Sequence, residues 1–417
     1  MTRPADGQAQ RACSSSPEPP SAAQVGAATR ASYASFAAAG FIFASWVSRI
    51  PQVRDELRLS PSDLGLLLLA ASVGAVVALP LAGLVVSRLG TRRAVTVTSL
   101  VSSAGLLVIA AGFHVGVLPV AAGLFAMGVG YGTWDVAMNV EGAAVEQRLG
   151  RSILSRFHAA FSVGTVLGAL VGAALVSRHV PVTLHLLVVG VLTGAFVPTV
   201  VRGYLPEQRR AHSRAGSNAM ARRRSLAAWT ERRTVLIGIF VLASAFSEGT
   251  GNDWLGVAVI DGYHVAAYVG SLSFAVFVLA MTAGRWYGPA LLDRYGRVRV
   301  LRPAAALAAV GLVLVVSGQA LPVLLVGIVA WGAGTALGFP VGMSAAADDP
   351  VLAAARVSVV SSIGYTAFLA GPPLIGLLGN HIGVLHSLTV ATGVLAVGFL
   401  VAGACRPLPA TSARARD

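Results

Sequence analysis

The chain has 417 residues, 55% of them hydrophobic and only 12% charged, with a formal net charge of +14 and a mean hydropathy of +0.75. A soluble domain carries about 25% charged residues, so this composition excludes a soluble globular protein and indicates a polytopic membrane protein. All 31 basic residues are arginine and lie between apolar segments, not on a folded basic face, which excludes nucleic-acid binding.

Residues 1–28 are polar and proline-bearing, and are expected to be a disordered N-tail without the apolar core of a cleavable signal. A membrane span needs roughly 20 apolar residues. Such stretches fall at about 31–50, 62–86, 94–113, 116–140, 157–177 and 182–201, then at about 233–256, 266–289, 299–319, 321–345, 354–378 and 383–405. They are too long and too continuously apolar for barrel strands. The reading is therefore an all-α protein of twelve transmembrane helices: a first six-helix bundle over 29–201, an arginine-rich linker over 202–232, a second bundle over 233–405 and a C-tail over 406–417. With the N-terminus inside, 26 arginines fall in inner segments and four in outer ones. The positive-inside rule then places both termini and the linker in the cytoplasm of a multi-pass membrane protein. Cys13 and Cys405 lie near opposite ends and form no disulfide framework or metal cluster.

The two halves repeat one another. Arg156 to Gly164 reads RFHAAFSVG and Arg356 to Gly364 reads RVSVVSSIG. Met127-Gly128-Val129-Gly130 answers Trp331-Gly332-Ala333-Gly334, and Ser87-Arg88-Leu89-Gly90 answers Asp293-Arg294-Tyr295-Gly296. Three matches at nearly one offset, in corresponding spans, support a six-plus-six duplication.

The loop after the second span reads Gly83-x-x-x-Ser87-Arg88-x-Gly90-x-Arg92-Arg93, and the loop after the eighth reads Asp293-Arg294-x-Gly296-Arg297. These resemble the loop signature of the major facilitator superfamily. The resemblance implies two pseudo-symmetric six-helix bundles and a secondary transporter. It also implies gating roles for Arg88, Gly90, Asp293, Arg294 and Gly296. Physically, the glycine permits a tight reversal and the arginine can latch onto a carboxylate or a helix C-terminus. Ser87 stands where the family has aspartate, so the first latch is expected either to be weaker or to borrow Glu141 or Glu146. Trp46-x-x-Arg49-x-Pro51, Glu248-Gly249-x-x-x-Asp253-Trp254 and Gly371-Pro372-Pro373 are similar to the bacterial inner-membrane subgroup typified by YbjJ. That resemblance implies solute transport without naming the solute.

Polar residues within spans carry the functional expectations. Asp135 and Asn139, four apart, share a helical face. A carboxylate at membrane depth costs about 2.5–3.5 kcal/mol, which a proton relieves. Asp135 is thus a proton-coupling candidate, with a structural hydrogen bond to His158 as the alternative. Asn139 either contacts solute or glues helices together. His158, opening span five, is a gating or an interfacial histidine. Glu248 sits in the run Ser247-Glu248-Gly249-Thr250-Gly251-Asn252, which predicts a broken span lining a cavity. Glu248 and Asn252 are candidates for binding solute, and Glu248 also for carrying a proton. Asp253 is a candidate outer gate and Trp254 an interfacial aromatic.

Arg285 either snorkels to the inner surface or is a cavity cation paired with Asp135 or Glu248. Arg49 is expected to pair with Asp55 or Glu56. Trp46 and Trp331, facing either lipid or cavity, are further candidates for solute contact. Gly164, Gly168 and Gly172 allow close helix packing and resemble a span-five antiporter motif, but Ala169 replaces its proline.

The expected function is proton-coupled secondary transport of a small organic solute, with drug efflux by proton antiport as the alternative. The expected partners are a small-molecule substrate, protons and the lipid bilayer, around a monomer. No zinc-protease, nucleophile-elbow or phosphate-loop motif is present, so no enzyme activity, metal or cofactor is expected, and ATP is not the energy source.

Overall fold

Helix α1 (Ala22–Val47) begins inside the segment expected to be disordered. Ser21 supplies the reason: its hydroxyl accepts the Gln24 N–H while Gln24 caps the Ser21 N–H. This reciprocal box satisfies two orphan donors and starts the helix before the apolar run. The structure is a computed structural model in which residues 20–150, 153–206, 227–349 and 352–408 are described. Most of the N-tail, the centre of the arginine-rich linker and most of the C-tail lie outside these residues.

The first half continues with α2 (Ile50–Glu56), α3 (Pro61–Gly112), α4 (Val117–Leu149), α5 (Leu154–Ser177) and α6 (Val182–Val200). The second half comprises α7 (Arg232–Tyr263), α8 (Ala267–Tyr295), α9 (Arg297–Ser317), α10 (Leu321–Thr335), α11 (Gly338–Ala346), α12 (Ala353–Ile382), α13 (Val384–Ser387) and α14 (Thr389–Val401). Eleven of the described helical stretches are long and apolar enough to cross a membrane. One of them, α3, is two spans joined at Gly90, which makes twelve. Gly90 (φ 77°, ψ 164°) and Gly296 (φ 80°, ψ 158°) adopt the same left-handed-side conformation at the same point of each half. Only glycine enters that region without a Cβ penalty.

The duplication extends into the packing. A Cβ at Gly105 would lie 2.6 Å from the Gly123 carbonyl, and one at Gly311 would lie 2.6 Å from the Gly327 carbonyl. The third and fourth spans of each half thus touch backbone to backbone. In the first half Trp134 Nε1 donates to Ser35 Oγ (3.0 Å), and in the second Trp331 Nε1 donates to Ser247 Oγ (2.8 Å). Both bonds join the fourth span of a half to its first. The glycine series of α5 packs on α1: a Cβ at Gly164 would sit 2.0 Å from Ala37 O, and one at Gly172 would sit 2.0 Å from Ser48 Oγ.

The start of α1, the end of α14 and the described edges of the linker share one face, called here the terminal face; Arg233 Nη2 donates to Arg406 O there. The far face carries the turns after α1, α5, α7 and α12. The halves meet through α3 against α12 and α5 against α8. Among the described residues, every hydrogen bond and ion pair between the halves lies toward the far face. Arg54 forks onto both oxygens of Asp261, with Nη2 to Oδ1 at 2.9 Å. Ser271 Oγ donates to Ser48 O (3.0 Å), and Asn380 Nδ2 donates to Ser62 Oγ (2.7 Å). At the same level Gly65 admits the Pro372 carbonyl, so the Gly371-Pro372-Pro373 turn of helix belongs to this seam.

Candidate functional site

Span four delivers Asp135 and Asn139 on one face, as their spacing requires. Asn139 Nδ2 donates to the Asp135 backbone carbonyl (2.9 Å) and to its Oδ1 (3.3 Å). The amide oxygen of Asn139 meets His158 Nε2 at 3.0 Å. An amide oxygen only accepts, so Nε2 carries the proton. The result is a directed chain from His158, which is exposed, through Asn139 to Asp135. The His158 ring is fixed edge-on against Phe36, 5.2 Å between centroids.

Glu248 and Arg285 face this chain from the second half. Arg285 Nη2 donates to Glu248 Oε1 at 2.8 Å, with the side chains 30% and 17% exposed. Arg285 is therefore a paired cation inside the protein and does not snorkel to the surface. Its Nε donates to Ala336 O (3.3 Å). That carbonyl is available because span ten is interrupted between α10 and α11. The expected break in span seven is absent: α7 runs unbroken through Ser247–Asn252. Packing overrides the weak local propensity there, since Gly251 accommodates the Phe277 ring and Ser247 receives Trp331. The broken span is instead one that the sequence reading left continuous.

Through-space electrostatics tie the two clusters together. Tyr131 feels the carboxylates of both Asp135 and Glu248, Tyr365 feels Asp135, and His158 feels Arg285. Spans four, five, seven, eight and eleven thus contribute to one polar centre between the halves. Tyr131 and Tyr365 were not singled out from sequence, because a tyrosine in an apolar span carries no distinguishing pattern. Within this centre Arg285 neutralises Glu248, whereas the side-chain partner of Asp135 is a neutral amide.

Other candidates take different places. Asn252 and Asp253 border a small chamber at the seam with Ser48, Pro51 and Ser271. Asp253 makes no hydrogen bond among the described residues, and the Asn252 amide oxygen is buried without a partner. Trp331 is fully buried against Phe277, with ring centroids 5.0 Å apart, and Trp46 is buried as well. Trp331 packs inside its own half, and burial leaves neither ring open surface for a solute in this state. Trp254 is also fully buried, not interfacial. Arg49 pairs with neither Asp55 nor Glu56; it donates to His185 Nδ1 (2.9 Å) and Val180 O (3.1 Å). Its neighbour Arg54 takes Asp55 and Asp261.

On the terminal face Glu141 does not hold Arg88. It accepts from Thr91 Oγ1 (2.6 Å) and from Leu205 N (2.7 Å), tying the loop between spans two and three to the exit of span six. Glu146 accepts from the Ile153 and Leu154 N–H groups and so caps α5. Arg88, Asp293 and Arg294 are exposed and form no ion pair among the described residues; Arg294 lies over the Tyr295 ring at 5.2 Å. Among the described residues, the ion pairs on this face are Arg297–Asp348 (2.7 Å), Arg233–Asp348 (2.8 Å), Arg356–Glu231 (2.7 Å) and Arg356–Asp349 (3.4 Å), all within the second half. Burial opposes the Glu231 charge, but hydrogen bonds from Arg356 and Thr234 outweigh it and hold the carboxyl below its usual range.

Comparison with known proteins follows the same outline. The family model described as Major Facilitator Superfamily matches residues 31–350. The chain is similar to an uncharacterized transporter, y4wD, of Sinorhizobium fredii, at 32% identity over 83% of this chain and 90% of that protein. An uncharacterized MFS-type transporter of Yersinia pestis is 27% identical over 88% of this chain and 92% of its own length. Among solved structures, the nucleoside transporter NupG superposes with a TM-score of 0.71 at 14% identity, covering 92% of this chain and 98% of that one. Identity that low carries the fold alone.

Proposed function

The chain belongs to the major facilitator superfamily, and from that premise we propose a proton-coupled secondary transporter that moves a small polar organic solute by alternating access. The motifs around Trp46, Glu248 and Gly371 favour the YbjJ-like subgroup. The arginine distribution favours an inner-membrane protein with the terminal face in the cytoplasm. In that orientation the seam at Arg54–Asp261 closes the outer side of the protein.

The observation that carries the proposal is the unequal treatment of two acids at one polar centre. Glu248 is neutralised by Arg285 at 2.8 Å, whereas Asp135 is held by Asn139, which supplies no charge. An intramembrane acid without a counter-cation takes its neutralising charge from a proton or from the solute. Asp135 is the proton carrier in this reading, with Asn139 and His158 orienting it toward the terminal face. Glu248 and Arg285 contact the solute, and rocking of the halves exposes the centre to each side in turn. Efflux by proton antiport receives less support, because packing on α1 accounts for the span-five glycines.

The test is transport in proteoliposomes with an imposed pH gradient and an internal pH dye, screened against a panel of sugars, polyols, nucleosides and amines. A solute that collapses the gradient with the native chain is then applied to Asp135→Asn and Glu248→Gln. Asp135→Asn is expected to uncouple proton movement, and Glu248→Gln to weaken solute binding. If both variants keep gradient-driven uptake intact, the coupling assignment fails.

A further inference from the structure

A second cavity, of about 490 Å³, opens on the far face away from the polar centre. Its walls come from both halves: Arg49, Gln52, Glu56 and Phe113 from the first, Ala267 and Tyr268 from the second. That volume falls in the range of small-molecule sites. Arg49 is 1% exposed, and both its partners, His185 Nδ1 and Val180 O, are neutral. Its Nη2 has no partner, and neither amide atom of Gln52 has one. No carboxylate pairs with Arg49 among the described residues. A buried cation without a counter-charge is strongly unfavourable, and two donors without acceptors add to the deficit.

We infer that this cavity is a binding site for a small organic monocarboxylate, distinct from the transport centre. The carboxylate supplies acceptors for Arg49 Nη2 and the Gln52 amide N–H, with a short shift of the Gln52 side chain admitting it. The ligand's apolar body lies against Phe113 and Ala267. Glu56, exposed at the mouth, repels a second negative charge and selects a monoanion. Because Ala267 and Tyr268 belong to the other half, the site is complete only while the far face is closed. A bound carboxylate therefore stabilises this state and slows turnover.

The test uses the full chain in nanodiscs, with benzoate as probe, benzamide as its uncharged counterpart and inorganic phosphate as an anion without an apolar body. Benzoate is expected to raise the thermal midpoint saturably, and the other two are not. Gln52→Leu should weaken benzoate about tenfold, the loss of one charge-assisted bond. Ala267→Trp, which fills the cavity without touching Arg49, should abolish the effect. Equal responses to benzoate and benzamide overturn the inference, as does benzoate binding that survives Ala267→Trp. Absence of any benzoate response in the native chain overturns it too, the deficit at Arg49 then being met by water.

Discussion

Asp261→Asn removes the charge that Arg54 grips across the far face. Arg54 is 12% exposed and Asp261 37%, so water screens one end of the pair. Exposed pairs are worth about 0.2–1 kcal/mol. The two-pronged geometry and the sheltered arginine place this one near the top of that range, about 1 kcal/mol. That converts to about a fivefold change in the ratio of closed to open far face. Spin labels at Leu118 and Leu321, exposed at the far-face starts of α4 and α10, report the separation of the halves by pulsed dipolar spectroscopy once Cys13 and Cys405 are replaced by alanine. The long-distance population should rise about fivefold in Asp261→Asn. Arg54→Gln should do the same, and the double variant should add little further. An unchanged distance distribution refutes the reasoning. So does an Asp261→Asn effect of the same size with and without Arg54, because the pair would then contribute nothing specific.

Other outcomes follow from the packing and the terminal face. Gly164→Val should destabilise the protein by about 1–3 kcal/mol or prevent folding, because the new Cβ meets the Ala37 carbonyl; thermal unfolding in detergent measures it. Trp331→Phe should lower stability by about 1 kcal/mol through the lost bond to Ser247 while leaving solute affinity unchanged; a fall in affinity at unchanged stability would restore Trp331 as a solute contact. Glu231, whose carboxyl is depressed by Arg356 and Thr234 against the effect of burial, stabilises the fold fully above its unfolded value of about 4.3. That contribution is lost as pH falls through the lower folded value. Glu231→Gln should therefore flatten the acid limb of a stability–pH curve, and an identical limb in both proteins counts against the assignment.

The spans were legible because hydropathy is a property of contiguous residues. The Asp135–Asn139 pair was legible because helical spacing is local. Long-range partners were legible only as alternatives, Asp135 or Glu248 for Arg285, or not at all, as for Arg54. Glu248 and Arg285 are 37 residues apart and Arg54 and Asp261 are 207 apart, so no window contains either pair. The break was assigned to span seven because glycine, serine and asparagine cluster there, yet Phe277 and Trp331 pack that segment into a continuous helix. Span ten breaks at Ala336 and Leu337 because Pro340, four residues past Ala336, has no N–H to give its carbonyl, a signal the surrounding apolar run obscures. The early start of α1 was written in Ser21 and Gln24, a capping box hidden by the surrounding prolines.

Among the described residues, the bonds between the halves all lie toward one face, and that edge therefore acts mechanically as a fulcrum. Across a bilayer core about 30 Å thick, a rotation of about 10° about the edge moves the opposite rim by about 5 Å, roughly one helix radius with its side chains. Such a lever can reverse only if the pivot changes sides. A pivot at the terminal rim needs bonds between the halves that the described residues do not form in this state. The charges already standing there, exposed and without an ion pair among the described residues, are the guanidiniums of Arg88 and Arg294.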